Sequence, residues 1–185
     1  FGSVMATLRS YSSELMEEIK KVRKTGFTLA PEAGTERMRR VINKGISEED
    51  LLQATKNAFE LGWRLVKLYF MLGLPTETDE DLEELAKLAE DLARTGRRIR
   101  GRKVQIKVSV GCFVPKAWTP FQWQPFVSVD EQLRRIELLK HRFRRIKGAR
   151  LTWSNPDESA LEALLSRGGR ELAATIERAH DLGAV

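Results

Sequence analysis

Short apolar segments alternate with amphipathic helical segments along most of this chain of 185 residues. Apolar runs typical of strands occupy residues 27–30, 64–72 and 104–110. The segments between them carry apolar residues at helical spacing behind capping residues such as Ser47 and Ser128. Because strand and helix alternate at these lengths, we expect a parallel sheet with right-handed crossovers. The pattern predicts an α/β fold.

The same periodicity predicts where the other elements lie. Helices are expected over 13–24, after Thr35, after Ser47, over 78–94, from Ser128 to about 146, after Asn155 and over 170–182, with a short strand over 151–153. Residues 1–150 thus form the βα units and residues 151–185 a C-terminal helical extension. We predict one domain spanning residues 1–185.

A doubly wound sheet and a barrel both contain this alternation. The sequence lacks a G-x-G-x-x-G turn after its first strand, so it offers no dinucleotide-binding signature. A complete eightfold barrel takes about 250 residues, which exceeds the length of this chain. The sequence therefore predicts a partial TIM-like (β/α) barrel with a parallel sheet, helices outside it and extra helices at the C-terminus.

Composition excludes several classes of protein. The single cysteine, Cys112, excludes an internal disulfide framework, and the distant His141 and His180 suggest no zinc site, so we predict no metal ligands in this chain. No apolar run approaches the roughly 20 residues that span a bilayer, which predicts no membrane partner and a cytoplasmic location. The net charge of +6 and the pI of 9.6 permit an RNA partner.

Unusual residues cluster where the predicted strands end. Pro31 to Gly34, Gly73 to Glu77 and Cys112 to Trp123 each follow a strand and are rich in Gly, Pro, carboxylate or aromatic residues. In a βα barrel these connections form the rim that carries chemistry. The Glu32 carboxylate, at the end of an apolar strand, would lose its hydration unless a cation or hydrogen-bond donors replaced it. Either a ligand or a neighbour such as Arg37 could supply these groups.

Several rim and strand residues have two interpretations. Gly34 permits close approach of a ligand carboxylate or simply makes a turn, and Gly73 either leaves room for a flat ring or closes a plain βα turn. Lys67 and Tyr69 share one face of their strand, which predicts a polar barrel lumen, although a snorkelling lysine fits equally. The loop VPKAWTPFQWQPF either lines a pocket or is a packed connector.

Three motifs in order resemble the second half of radical S-adenosylmethionine (radical SAM) domains. The run FTLAPEAGTERMRRVINKG contains a strand, an E-A-G turn and R-x-x-x-N-K, and RLVKLYFMLGLPTETDEDL contains a strand ending in G-L-P-T-E-T. The later FVPKAWTPFQW and LTWSNPDESALEALL resemble one uncharacterised branch with an N-terminal cobalamin-binding-type region. The resemblance covers about residues 20–185.

The resemblance implies a barrel of about six βα units with S-adenosylmethionine at its mouth. In this family the cofactor is cleaved reductively to a 5′-deoxyadenosyl radical. By position, the resemblance implies cofactor contacts from Glu32, Ala33 and Gly34 to the methionine amino group or ribose, from Leu72, Gly73, Leu74 and Pro75 to the adenine, and from Phe113, Val114 and Pro115 to the other side of the adenine. Tyr69 completes the predicted cofactor-binding set.

One departure from the family is decisive. The cleavage needs a 4Fe-4S cluster on a C-x-x-x-C-x-x-C loop, and one cysteine cannot supply three thiolates. The resemblance therefore implies part of a longer Fe-S oxidoreductase, beginning near the third barrel unit and inactive by itself, with no catalytic residue of its own. Cobalamin is a further cofactor that the resemblance suggests for the longer protein.

Two other functions stay open at this point. One is a basic RNA-binding module that uses residues 97–103 and the helix around residues 134–150, and the other is a scaffold without catalysis. A partial barrel also leaves strand edges unpaired, which predicts self-association of this chain. The substrate is not readable from the sequence, because fold-level analogy does not supply it.

Overall fold

The computed structural model of the protein describes residues 26–184, and within them four parallel strands form one sheet in the order β1-β2-β3-β4. The strands are β1 (Phe27–Glu32), β2 (Leu65–Leu72), β3 (Gln105–Cys112) and β4 (Ala149–Trp153). Consecutive strands along the chain are neighbours in the sheet, as right-handed βα units produce. The predicted α/β class, with a parallel sheet and helices, is confirmed.

Six α-helices connect and follow the strands within the described residues. They are α1 (Glu36–Val41), α2 (Glu48–Glu60), α3 (Asp79–Arg100), α4 (Val129–Phe143), α5 (Pro156–Arg167) and α6 (Leu172–Asp181). Thr35, Ser47, Ser128 and Asn155 accept the N-cap hydrogen bonds that the sequence predicts for them. The helix predicted over 13–24 lies outside the described residues. None of the helices in the described part of the chain has the length and apolarity needed to cross a membrane.

The hydrophobic core lies between one face of the sheet and the helices. Along β2, Val66, Leu68, Phe70 and Leu72 are buried and alternate with partly or fully exposed residues. Their face packs against α2, α3 and α4, which contribute Leu51, Phe59, Leu85, Leu92, Ile136 and Leu139 to the same core. On the other face of β2, Leu65, Lys67 and Met71 are partly buried and Tyr69 is exposed.

The opposite face of the sheet is defined here as the open face. Tyr69 lies on it with 43% of its surface exposed. Lys67 and Met71 flank Tyr69 on the same face, as the twofold alternation of a strand requires. In a closed barrel this face would line the lumen. The predicted sharing of one strand face by Lys67 and Tyr69 is therefore confirmed.

Candidate functional site

The loops that follow β1, β2 and β3 meet at one edge of the sheet, called here the carboxyl edge. Parallel strands end at the same edge, so their outgoing loops become neighbours although they lie far apart in sequence. The amide of Phe113 donates to the carbonyl of Leu72 at 2.8 Å. Ala33 and Leu74 are buried in one apolar cluster, against which Phe113 packs. Residues from three predicted rim segments thus share a contact surface.

Glu32 ends β1 with a left-handed backbone, at φ 66°. Such a conformation is costly for a residue with a Cβ and concentrates at functional sites. Lys44 Nζ lies 3.5 Å from Glu32 Oε1, and the Glu32 side chain is 29% exposed. The sequence suggested Arg37 as the neighbouring cation, and this is wrong because Arg37 pairs with Asp81. Glu32 is a partly exposed carboxylate at the carboxyl edge, and its ion pair with Lys44 is long.

Asp81, in the first turn of α3, joins the loop after β1 to the loop after β2. Its Oδ1 accepts from Thr35 Oγ1 at 2.7 Å, and its Oδ2 accepts from the Thr78 amide at 2.9 Å and pairs with Arg37. Burial acts to raise the pKa of Asp81, but the hydrogen bonds from Arg37, Thr78 and Thr35 outweigh burial and hold that pKa below its usual value. Asp81 is therefore an ionised bridge between two rim loops.

Arg39 holds the backbone of the loop after β1. The residue is fully buried, its Nη1 donates to the carbonyls of Ala33 and Gly34 at 3.0 and 3.1 Å, and its Nε donates to the Ile46 carbonyl at 2.8 Å. Among the described residues its Nη2 has no hydrogen-bond partner. The guanidinium fork fixes three carbonyls at once, which a lysine cannot do. Arg39 is thus a positioning residue for the predicted Glu32–Gly34 site.

Glu77 is the most deeply buried carboxylate of the carboxyl edge. Its Oε2 accepts from the Gly73 amide and from Arg135 Nη1, both at 2.7 Å, and its side chain is 4% exposed. Burial raises the pKa of Glu77 to about 7, against the opposing influence of the Gly73 amide and Arg135. The Glu77 carboxylate thus ties the turn at Gly73 to α4.

The raised pKa of Glu77 makes stability depend on pH. Between pH 4.5 and about 7 the folded protein holds a proton on Glu77 that the unfolded chain has released. Unfolding in this window releases a proton, so the free energy of unfolding falls as the pH rises. We expect the wild type to lose about 3 kcal/mol across the window relative to Glu77→Gln. Urea denaturation at a series of pH values measures both proteins.

The control for this measurement is Glu84→Gln, which changes an exposed carboxylate on α3, the helix that begins just after Glu77. It carries the same change in formal charge, so its denaturation profile should follow that of the wild type. Parallel profiles of the wild type and Glu77→Gln would contradict the assignment of the pH dependence to Glu77.

The two rim glycines are required by the protein itself. A Cβ on Gly34 would lie 2.5 Å from Leu85 Cβ and 3.0 Å from the Asp81 carbonyl, so close packing against α3 explains this glycine. Gly73 has φ +84°, and a Cβ there would lie 3.2 Å from Val127 Cγ2. The space beside Gly73 is therefore occupied by Val127. The structure gives these glycines a packing and a turn role, and their predicted ligand contacts stay predictions.

Gly111 is the position at the carboxyl edge where space is open. It lies opposite Met71 on the neighbouring strand, and within residues 26–184 no atom beyond Gly111 and its two chain neighbours lies within 4 Å of the point that its Cβ would occupy. A glycine within a strand commonly marks the close approach of a ligand or another backbone. The sequence analysis missed Gly111, although a glycine inside the alternating run of β3 was the available signal. Met71, Tyr69 and Gly111 form the part of the open face nearest the carboxyl edge.

The aromatic loop after β3 divides into a packed and an exposed part. Phe113 packs edge-to-face on Phe121 with ring centroids 5.7 Å apart, and Pro115 is buried. Trp118 and Trp123 are 95% and 85% exposed. The loop is irregular, as its prolines predict. Its packed part anchors Phe113, Val114 and Pro115 at the carboxyl edge, and its exposed part presents two tryptophans to solvent.

All eleven predicted cofactor-binding residues lie on β1, β2, β3 or the loops that follow β1, β2 and β3. The structure brings Ala33, Leu74 and Phe113 into one cluster and places Glu32, Gly34, Gly73, Pro75, Val114 and Pro115 around it at the same edge, with Tyr69 and Leu72 on β2. Leu72 is 1% exposed and belongs to the helix-side core, so its side chain is unavailable to a ligand. Whether the others bind a ligand stays a prediction.

The basic side chains of α4 are largely engaged with carboxylates. Arg134 pairs with Asp79 and Glu131, and Arg135 pairs with Glu77 and Glu131, each at 2.7 Å. The carboxylate of Glu131 has its pKa lowered to about 2 by the hydrogen bonds from both arginines. Phosphate contacts would have to displace these carboxylates. The ion pairs therefore weigh against the predicted RNA-binding surface on this helix.

The residues present do not fit an iron–sulfur cluster. The sequence has one cysteine, Cys112, and its Sγ lies 3.7 Å from the Ser154 hydroxyl. Among residues 26–184 no group of three His, Cys, Asp or Glu side chains could hold a metal ion. A cluster of this type needs several thiolates at fixed spacing. The 4Fe-4S cluster that the family resemblance implies therefore has no ligand set in this chain.

Comparison with known proteins identifies the superfamily. The sequence model described as "Radical SAM superfamily" matches residues 3–89. An uncharacterised protein of Methanocaldococcus jannaschii is 36% identical over 148 residues, which are 80% of this chain and 31% of that protein. This chain thus spans less than a third of the relative's length. The predicted superfamily is confirmed, and the cobalamin-binding branch stays a prediction.

Proposed function

We propose, from the premise that this chain belongs to the radical SAM superfamily, that it forms the part of the barrel that holds the nucleoside of S-adenosylmethionine. The observation that carries the proposal is the convergence of three βα loops beside the open space at Gly111. Pockets of this kind lie at the carboxyl ends of parallel strands. The relative in M. jannaschii is uncharacterised, so it contributes the family and no activity.

The chemistry of the rim residues suits such a ligand. Glu32 offers a partly exposed carboxylate to an ammonium or ribose hydroxyl, in competition with its 3.5 Å pair to Lys44. The exposed ring of Tyr69 and the thioether of Met71 offer an apolar surface beside Gly111. Arg39, Asp81 and Glu77 hold the loop backbones in place without facing the ligand. Their role is to preorganise the site.

The bound cofactor supplies a 5′-deoxyadenosyl group in this superfamily. Its reductive cleavage needs the iron–sulfur cluster that this chain's single cysteine cannot hold. We therefore propose that this chain binds and orients the nucleoside and that it does not carry out the cleavage by itself. Cobalamin and a cytoplasmic location are not required by this proposal.

Titration calorimetry of this chain with S-adenosylmethionine tests the proposal. We expect saturable binding with a dissociation constant at or below about 1 mM. Gly111→Val should weaken that binding at least tenfold without lowering the melting temperature, because its side chain enters space that is open within the described residues. Glu32→Gln should weaken it by a similar factor through loss of the carboxylate charge.

Gln105→Val is the matched control for Gly111→Val. Gln105 lies on the same strand and the same face as Gly111, at the opposite end of β3. The control should bind the cofactor like the wild type. An absence of saturable binding, or equal binding by the wild type and Gly111→Val, would overturn the proposed function.

A further inference from the structure

Three cations lie side by side on the open face, one on each of β2, β3 and β4. Lys67 is paired in register with Lys107, and Lys107 with Arg150. Neighbouring strands are about 4.8 Å apart, so the three side chains start from a row about 10 Å long. We call these three residues the cation row. Like charges directly opposite each other on a sheet destabilise it unless an anion screens them.

No carboxylate in the described part of the chain neutralises the cation row. The ion pairs of residues 26–184 involve other lysines and arginines, such as Lys44, Lys116 and Arg134. The contrast with α4, where the arginines are matched by Glu77, Asp79 and Glu131, is clear. Within residues 26–184 the row therefore carries charge that no carboxylate balances, on a face that would line the lumen of a barrel.

A row of hydroxyl groups lies next to the cation row, two residues closer to the carboxyl edge. Tyr69, Ser109 and Thr152 are partners in register on the same three strands. The Ser109 and Thr152 hydroxyl oxygens are 2.8 Å apart and share a hydrogen bond. The two rows are separated by about 7 Å along the strands. The cations and hydroxyls thus form two adjacent rows on the same face of the sheet.

We propose that the cation row and the hydroxyl row bind the phosphate group of a small phosphate-bearing substrate. A phosphate carries a charge close to −2 and several strong acceptor oxygens, which match two or three cations together with hydroxyl donors. Lysine binds phosphate as a point charge, and the arginine fork binds it through two parallel hydrogen bonds. The proposal rests on the proposed function, because it names the class of substrate that this barrel accepts.

The cation row does not suit S-adenosylmethionine itself. That cofactor carries a sulfonium and an ammonium against one carboxylate, so its net charge is positive and the row repels it. Lys67 precedes Met71 by four residues, about 13 Å along the strand. The phosphate would therefore lie deep in the lumen, and the rest of the substrate would extend toward the carboxyl edge.

Binding of inorganic pyrophosphate to this chain, without S-adenosylmethionine, tests the inference. The double variant Lys67→Gln/Lys107→Gln should raise the dissociation constant at least tenfold. Arg98→Gln/Lys103→Gln removes the same two charges from exposed positions on α3 and the turn after it, and should change the constant less than twofold. Lys67→Gln/Lys107→Gln should also melt at a higher temperature than the wild type in anion-free buffer, because the repulsion between the two lysines is removed.

Several outcomes would overturn the inference. They are an absence of saturable pyrophosphate binding, equal weakening by both double variants, and equal affinity for pyrophosphate and citrate. The first would show that the row binds no phosphate, the second would show that it contributes only a general positive potential, and the third would remove the assignment to phosphate. Because the cofactor is left out of this assay, failure of the phosphate site is separate from failure of cofactor binding.

Discussion

Arg39→Ala is expected to lower the free energy of unfolding by about 3–5 kcal/mol, because it leaves three buried carbonyls without a donor. Those carbonyls belong to Ala33, Gly34 and Ile46. Burial itself lowers the pKa of Arg39, so the guanidinium is retained at a cost that its hydrogen bonds must offset. Chemical denaturation measures the loss. The same variant should weaken cofactor binding, since the backbone of the loop after β1 is released.

Arg40→Ala is the matched control, because Arg40 is the next residue on α1 and its side chain is 79% exposed. It should change stability by no more than roughly 0.5 kcal/mol. Arg39→Lys separates charge from geometry, since a lysine keeps the charge and loses the planar fork. It should recover less than half of the loss. Stability of Arg39→Ala within roughly 1 kcal/mol of the wild type would contradict this role.

Asp81→Ala is expected to lower the free energy of unfolding by about 2–4 kcal/mol. The substitution removes the acceptor for the Thr35 hydroxyl and the Thr78 amide and leaves Arg37 without its carboxylate. The N-terminus of α3 also loses a capping carboxylate. Hydrogen exchange should report the change locally, with the Thr78 amide among the first to lose protection.

Glu90→Ala serves as the control for Asp81→Ala, because Glu90 is an exposed acid on the same helix. It should leave the Thr78 amide protected and stability within roughly 0.5 kcal/mol of the wild type. If Asp81→Ala unfolds at the wild-type denaturant concentration, the bridge between the two rim loops contributes nothing to the fold. Asp81→Asn should fall between the two, since it keeps one acceptor oxygen and loses the charge.

Most element boundaries were predictable because they depend on residues close in sequence. The caps at Thr35, Ser47 and Asn155 formed where the sequence places them, since an N-cap contact spans only two or three residues. The end of β1 was less predictable. The strand continues through Pro31 to Glu32, with a register shift between Leu29 and Glu32. A proline is tolerated there because β1 is an edge strand within the described residues.

The partners of the charged rim residues were not predictable. Glu77 contacts Arg135, which lies 58 positions away in sequence, and Thr35 contacts Asp81, which lies 46 positions away. The chain offers 32 lysines and arginines against 26 acids, so composition leaves many pairings open. Arg37 illustrates this, because it is the cation nearest to Glu32 in sequence and yet it pairs with Asp81. Burial decides how much each pairing contributes to the stability of the fold.

The sequence by itself determined the alternation of strands and helices, the superfamily and the common edge at which the predicted cofactor residues lie. It did so because the alternation of apolar residues and the order of the motifs can both be read from the order of residues along the chain. Only the tertiary structure decided that Glu77 is desolvated, that Arg39 holds three carbonyls and that Lys67, Lys107 and Arg150 form one row. Burial and strand register arise when distant segments pack together, and local sequence does not encode either of them.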